Sequence, residues 1–153
     1  MATRRWNNET EVNVVTAGFQ EEARVAALAD GRFVVVWRNA PVVGPSGISA
    51  RIFDALGRPI SLELTVASGS ASTYNASPDV AVLPDGGFQV VWTATAIAEN
   101  GAVTGSHVLG RVFTATGALV RDITVSEAQA GRFDEKVAIA PSAPTLPWRT
   151  SPR

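Results

Sequence analysis

One pattern of an apolar strand, an Asp-Gly turn and an aromatic strand occurs twice in this chain, 55 residues apart. The first copy is Arg24-Val-Ala-Ala-Leu-Ala-Asp-Gly-Arg-Phe-Val-Val-Val-Trp37, and the second is Asp79-Val-Ala-Val-Leu-Pro-Asp-Gly-Gly-Phe-Gln-Val-Val-Trp92. A match of this length at a fixed offset indicates a structural repeat. Asp-Gly between apolar runs predicts a tight hairpin, because glycine takes positive φ without steric cost. The repeat therefore predicts an all-β fold.

Two shorter patterns extend each copy into a unit of four antiparallel strands. Residues 49–57 match residues 109–117 at an offset of 60, and both runs end in a Gly-bearing turn. A motif of an acid, an apolar residue, a small polar residue and valine occurs at residues 11–14, 63–66 and 122–125. The predicted strands are residues 12–15, 24–28, 33–37 and 48–53 in the first unit, and 80–83, 88–92 and 108–113 in the second.

These units divide the whole chain. The predicted segments are an N-terminal arm (1–8), repeat unit 1 (9–57), repeat unit 2 (58–117), a partial unit 3 (118–140) and a proline-rich disordered tail (141–153). The third copy begins as Asp134-Glu-Lys-Val-Ala-Ile-Ala140, but four prolines then replace the expected turn and aromatic strand. Proline cannot join the interior of a sheet. We expect either a native disordered tail or, preferably, a truncated or frame-shifted fragment of a longer repeat array.

The aromatic strand has two apolar faces. On a pleat of period two, Phe33, Val35 and Trp37 share one face, while Val34 and Val36 share the other. A strand of this kind needs cover on both sides, as in a sheet that lies between neighbouring sheets. We therefore expect β-propeller-like blades. The alternative is a β-sandwich in which the two units supply about eight strands.

Composition excludes several classes of partner and site. The net charge of −1 and the absence of a basic cluster argue against nucleic acid and anionic membrane surfaces. No apolar run approaches the ~18 residues of a membrane span, so no membrane insertion is expected. The chain has no cysteine, which excludes disulfides and thiolate metal sites. Residues 1–20 lack the apolar core of a signal peptide.

The residue types that support catalysis occur here in settings that local structure explains. His107 is the single histidine, and without a nearby carboxylate or further ligands we expect an ordinary surface residue at the start of a strand. Asp30 and Asp85 recur as a possible carboxylate pair, but each precedes glycine in a predicted turn. We predict no catalytic residue, no cofactor and no metal site.

Other recurring residues have a structural interpretation beside a binding one. Trp37 and Trp92 could stack sugars or bases, but their register on the pleat favours packing between sheets. Equivalent positions also hold arginine in both units, and we expect these side chains to extend along the sheet or pair with an acid. Tyr74 lies in a predicted loop as a possible contact point, and Asn75-Ala-Ser77 matches a glycosylation acceptor. The equivalent arginines are Arg51 and Arg111.

Residues 83–92, followed by Gly110-Arg-Val-Phe-Thr-Ala-Thr-Gly117, resemble a repeat of large bacterial extracellular proteins. That repeat has a core like Asp-Gly-Gly-Phe-Val-Val-Trp and often accompanies hemolysin-type calcium-binding (RTX) arrays. The resemblance covers roughly residues 9–140 and implies a non-catalytic module of a secreted or surface protein. Calcium binding is carried over to no residue, because nonapeptides of the type Gly-Gly-x-Gly-x-Asp are absent and the loops 42–47 and 98–105 are poor in Asp.

The expected function is that of a binding or scaffold module, not an enzyme. It would lie outside the cell or at its surface and contact a protein or carbohydrate partner through its loops. One alternative is a self-assembling lectin-like propeller that is closed by oligomerisation, so that the chain forms a homo-oligomer. Another is an accessory β-domain of an enzyme whose catalytic part lies in sequence not present here.

Overall fold

The computed structural model describes residues 9–126 and 138–140, and within these residues the chain is all-β. It forms two four-stranded antiparallel sheets, in each of which consecutive strands pair. The first sheet contains β1 (Phe19–Ala27), β2 (Phe33–Ala40), β3 (Gly47–Phe53) and β4 (Leu64–Ala67). The second contains β5 (Thr73–Val82), β6 (Phe88–Ile97), β7 (Val103–Phe113) and β8 (Leu119–Thr124). The predicted all-β class and four-stranded antiparallel sheets are confirmed.

The strands group differently from the sequence-based units. The acid–apolar–polar–valine motifs at residues 63–66 and 122–125 overlap β4 and β8, so each closes a sheet where we expected it to open the next unit. Residues 12–15 form no strand. Their backbone bonds instead to side chains, since the N–H of Val14 donates to the Glu63 carboxylate. Residues 1–8, 127–137 of the partial unit and the tail 141–153 lie outside the described residues.

The Asp-Gly elements form tight turns at equivalent places in both sheets, although Asp30 takes positive φ and Asp85 does not. In the first turn, a short 3₁₀ segment (Ala29–Gly31), Asp30 and Gly31 both take positive φ, and the N–H of Leu28 donates to the carbonyl of Arg32 over 2.8 Å. In the second, the N–H of Leu83 donates to the carbonyl of Gly87 over 2.9 Å. The turn chemistry predicted for both aspartates is confirmed, and it fixes the register of each hairpin.

Both sheets also share a bulge in their first strand. Register shifts occur between Glu21 and Arg24 in β1 and between Ala76 and Asp79 in β5. The bulged residues Glu22 and Ser77 are equivalent in the repeat and have φ of 56° and 51°. The carboxylate of Glu22 accepts the N–H of Ser77 over 2.6 Å. The two bulges therefore meet, and they join the first strands of the two sheets.

The main core lies between the sheets, which contact each other through unlike faces. We call the side of each sheet that carries the Phe-x-Val-x-Trp residues its tryptophan face, and the other side its opposite face. One buried cluster contains Val34 and Val36 from the opposite face of the first sheet. It also contains Phe88, Val90 and Trp92 from the tryptophan face of the second. The tryptophan face of the second sheet thus packs on the opposite face of the first sheet.

The tryptophan face of the first sheet points away from this interface and has a cluster of its own. Val35, Trp37 and Phe53 are buried there, with Val12 and Phe33 packed against them. The rings of Phe33 and Phe53 stack at 5.1 Å, as do those of Phe88 and Phe113 in the second sheet. The expectation that the aromatic strand is covered on both sides is confirmed for β2. Within the described residues, no helix is long and apolar enough to cross a bilayer.

Candidate functional site

The two recurring tryptophans lie in different places: Trp92 in the interface between the sheets, and Trp37 on the tryptophan face of the first sheet, which points away from that interface. Trp92 is 4% exposed in the interface, and its indole Nε1 donates to Oδ1 of Asn75 over 2.9 Å. The equivalent Trp37 is 3% exposed, but its Nε1 has no hydrogen-bond partner among the described residues. Position 20, which matches Asn75 in the repeat, is Gln20, whose amide donates to the carbonyl of Ala17. The two tryptophans have the same place on the sheet and different polar environments.

Asn75 joins the two sheets and was missed as a structural residue. It lies in β5, not in the predicted loop, and is 3% exposed. Its backbone N–H donates to the carbonyl of Ser46 over 3.1 Å, while the Ser46 hydroxyl donates to the carbonyl of Asn75 over 2.7 Å. The side-chain amide that accepts from Trp92 also donates from Nδ2 to the carbonyl of Ser46 over 3.4 Å, so Asn75 fixes the loop before β3. In the folded chain the glycosylation acceptor is inaccessible.

Two grooves lie at the end of the molecule formed by the loop after β2. The first, of about 610 Å³, lies on the tryptophan face of the first sheet; Val15, Asn39, Val43, Ser49, Glu63 and Thr65 contribute to its lining. The second, of about 530 Å³, lies between the sheets, and its lining includes Phe19, Arg38, Ala40, Pro45, Tyr74 and Ile97. Tyr74 belongs to β5 and not to a loop, and it is half-buried at this groove. Both grooves combine apolar walls with a few polar groups.

The equivalent arginines each bond to the backbone of a neighbouring segment. Arg111 pairs with Asp122 on β8, with Nε to Oδ1 at 2.7 Å, and its Nη1 donates to the carbonyl of Val66 in the first sheet. Arg51 donates from Nε to the carbonyl of Ser61 and from Nη1 to the carbonyl of Val12. The expectation of an acid partner is confirmed for Arg111, while Arg51 bonds to backbone carbonyls. Both residues hold a neighbouring segment in place.

Within the described part of the chain, His107, Asp30 and Asp85 lie apart, each in its own local setting. His107 lies inside β7, which begins at Val103, and is half-buried, so its placement as a surface residue at a strand start is wrong. Its Nδ1 is buried without a partner among the described residues. Asp30 bonds to Arg32, and Asp85 accepts the N–H of Gly87, each within its own turn. In residues 9–126 and 138–140, no three His, Cys, Asp or Glu side chains are grouped to hold a metal ion.

In the turn after β3, hydrogen bonds to the Asp54 carboxylate lower its pKa. The Arg58 N–H lowers the pKa of Asp54 below its ordinary value of 3.8, and bonds from the Arg58 side chain and the Leu56 N–H act in the same direction. At the equivalent position of the second sheet, the Thr114 hydroxyl accepts the N–H of Ala118. An ionised aspartate in one turn and a neutral hydroxyl in the other therefore accept the equivalent backbone N–H.

This difference predicts a pH dependence that one turn has and the other lacks. Because the folded pKa of Asp54 is depressed, its contribution to stability is present above pH 3.8 and is lost as the pH falls from there through the lower folded pKa. We expect Asp54→Asn to lower the urea midpoint at neutral pH and to converge with the wild type in acid. The matched variant Thr114→Ala should show a difference from the wild type that does not vary with pH. Equal pH profiles for the two differences would contradict the assignment.

The fold and these contacts define a tandem all-β repeat whose two sheets stack through unlike faces. No protein-family profile, no curated protein and no solved structure matches the chain.

Proposed function

We propose that the chain is a non-catalytic scaffold module built from stacking sheets of the propeller-blade type, which presents its loops to a partner. The observation that carries this proposal is the packing of the opposite face of one sheet on the tryptophan face of the next. An interface between unlike faces leaves one face of each type outside it, at the two ends of the stack. A stack of this kind can be extended by further units.

The outer face of the first sheet favours stacked blades over the sandwich alternative. In a two-sheet sandwich, outward-facing residues alternate as polar positions along each strand. Here the outward side of β2 instead carries Val35 and Trp37, which are both buried. The outward side of β6 is mixed, because the fully buried Val91 lies between Gln89 and Thr93. Apolar residues on both sides of a central strand are what a sheet between two neighbours needs. The resemblance to bacterial extracellular repeats agrees with this assignment and supports a location outside the cell.

Recognition would then fall to the loop end of the module. The loop between β2 and β3 exposes Val42 and Val43, which are 77% and 90% accessible, beside the groove that Tyr74 lines. Exposed aliphatic side chains beside half-buried polar groups suit a protein or carbohydrate partner better than a polyanion. The net charge of −1 points the same way.

The stacking function can be tested by adding a unit. We expect a chain with residues 68–124 repeated once after Thr124 to unfold in a single urea transition, with a higher midpoint and a steeper dependence on urea than the original chain. Coupled units gain stability from each new interface, and the slope grows with the surface exposed on unfolding. Circular dichroism and tryptophan fluorescence would follow the transition.

The matched control is the same extended chain with Val90→Asp in the added unit only. This substitution places a charge on the tryptophan face that would contact the preceding sheet, so the gain in midpoint should disappear. If the added unit unfolds in a separate transition, or raises the midpoint equally with and without the aspartate, the sheets do not stack as proposed.

A further inference from the structure

Residues 10–14 lie against the first sheet in the way that β4 lies against the second. Arg51 donates from Nη1 to the carbonyl of Val12 over 3.1 Å. Its repeat equivalent, Arg111, donates from Nη1 to the carbonyl of Val66 in β4. Both segments contain the acid–apolar–polar–valine motif, but Arg51 bonds to its second residue and Arg111 to its fourth, so the two segments lie two residues apart in register. In both sheets, an arginine at the same position of the third strand therefore bonds to the backbone of a segment outside its own sheet.

Two further contacts repeat the same relation. A Cβ at Gly57 would lie 3.4 Å from the Thr10 hydroxyl, and one at the equivalent Gly117 would lie 2.8 Å from Cδ1 of Leu64 in β4. Val12 packs on the cluster of the first tryptophan face, as Leu64 packs against the interface core. Residues 10–14 thus occupy the position of the outer strand of a preceding sheet, although the other strands of that sheet are absent from the described residues.

The opposite face of the second sheet carries a similar short segment. The N–H of Ile139 donates to Oδ2 of Asp79 over 2.9 Å, and Asp79 pairs with Val91 on that face. Residues 138–140 are Ala-Ile-Ala, the end of a Val-Ala sequence like Val80-Ala81 of β5, and β5 contacts β1, β2 and β3 across the central interface. Each outer face is therefore partly covered by a segment that resembles one strand of a stacked unit.

We propose that residues 10–14 and 138–140 are caps on two stacking faces, and that a second copy of this chain takes their place. The tryptophan face of the first sheet in one copy would pack on the opposite face of the second sheet in the next. This inference rests on the proposed stacking function and deepens it by naming the partner and the device that limits stacking. The contact would repeat the central interface of the chain between two copies.

Cap and partner cannot be bound together. An incoming second sheet would bring β8 to the site of residues 10–14, because β8 is the outer strand of that sheet as β4 is of the first. It would also fill the groove of about 610 Å³ that the cap leaves open beside Ser49 and Thr65. Head-to-tail contacts of this kind close into rings or continue as filaments. Capping by short segments therefore keeps the chain from propagating.

The test uses the full chain with both caps weakened by substitution. Val12→Asp places a charge against the cluster of Val35, Trp37 and Phe53, and Asp79→Ala removes the acceptor of the Ile139 N–H. We expect the wild type to have the monomer mass of 16.0 kDa in light scattering. The double variant should show at least a twofold rise in average mass that increases with concentration.

Two blocked forms of the double variant test the direction of the contact. Adding Val35→Lys blocks the tryptophan face of the first sheet, and adding Val91→Lys blocks the opposite face of the second. Each blocked form alone should be a monomer, while their equimolar mixture should form a 1:1 dimer, because each retains the face that the other has lost. Circular dichroism shows whether each form is folded.

Three results would overturn the proposal: a folded double variant that stays monomeric, blocked forms that still associate alone, or a double variant that unfolds, which would make the segments part of the core. The extended-chain experiment separates these results from a failure of the proposed function. Added units can raise the urea midpoint even where the caps prove not to regulate association between copies.

Discussion

Trp92→Ala is expected to destabilise the chain by about 3–5 kcal/mol, the range for truncating a large buried aromatic side chain. The indole lies in the core between the sheets, 4% exposed, among residues of both units. Its removal leaves a cavity at the interface and also leaves Oδ1 of Asn75 without the Nε1 donor. Urea unfolding at neutral pH, followed by circular dichroism, measures the loss.

Two variants divide this loss into its parts. Trp92→Phe keeps most of the packing and removes the hydrogen bond, so we expect about 1–3 kcal/mol. Trp37→Ala removes the equivalent ring from the free tryptophan face, where its Nε1 has no partner among the described residues. Because no hydrogen bond is lost there and the adjoining groove lets neighbours relax, this cost should be smaller by about 1–2 kcal/mol. A larger loss for Trp37→Ala than for Trp92→Ala would mean that the central interface is not the main core.

Gly117→Val should destabilise the turn between β7 and β8 through both its backbone and its packing. Gly117 has a φ of 90°, and a Cβ there would approach Cδ1 of Leu64 to 2.8 Å and Cδ1 of Ile52 to 3.2 Å. The backbone alone costs about 1–2 kcal/mol for a residue with a side chain, and crowding against the first sheet adds about 1–3 kcal/mol. We expect a total loss of about 2–5 kcal/mol in thermal and urea unfolding.

Gly86→Val is the matched control for that crowding. Gly86 has a φ of 85°, and a Cβ there would meet no atom within 4 Å. Only the backbone cost of about 1–2 kcal/mol should remain. The difference between the two variants measures the packing of the β7–β8 turn on the first sheet. Equal losses would show that this turn does not press on its neighbour.

The sequence predicts strands well here and their grouping less well. Phe33, Val35 and Trp37 alternate strictly, so the pleat, both apolar faces and the Asp-Gly turns could be read directly. The acid–apolar–polar–valine motif at residues 63–66 could form either the first or the last strand of a sheet, because its local sequence suits both places equally. Its place as β4 follows from pairing with β3, a contact between chain segments that periodicity does not encode.

The polar residues show the same limit. His107 and Asn75 were expected at the surface or in a loop, because polar side chains next to glycine- and serine-rich stretches are typical of loops. Both lie within long strands that continue beyond the repeated core. The signal that could have located Asn75 is its sequence spacing from Trp92, which places the two residues on paired strands of one hairpin. An indole N–H in a core needs an acceptor, and Asn75 is the residue that supplies it.

Because Asn75 is buried, glycosylation at Asn75-Ala-Ser77 would report how fast the chain folds. N-glycosylation needs an accessible asparagine amide, and in the folded chain that amide accepts from Trp92 and donates to the carbonyl of Ser46. In a eukaryotic secretory host, only molecules that have not yet joined their two sheets could receive the sugar. The fraction of chains bearing a glycan would record how long the hairpin of β5 and β6 stays open during synthesis.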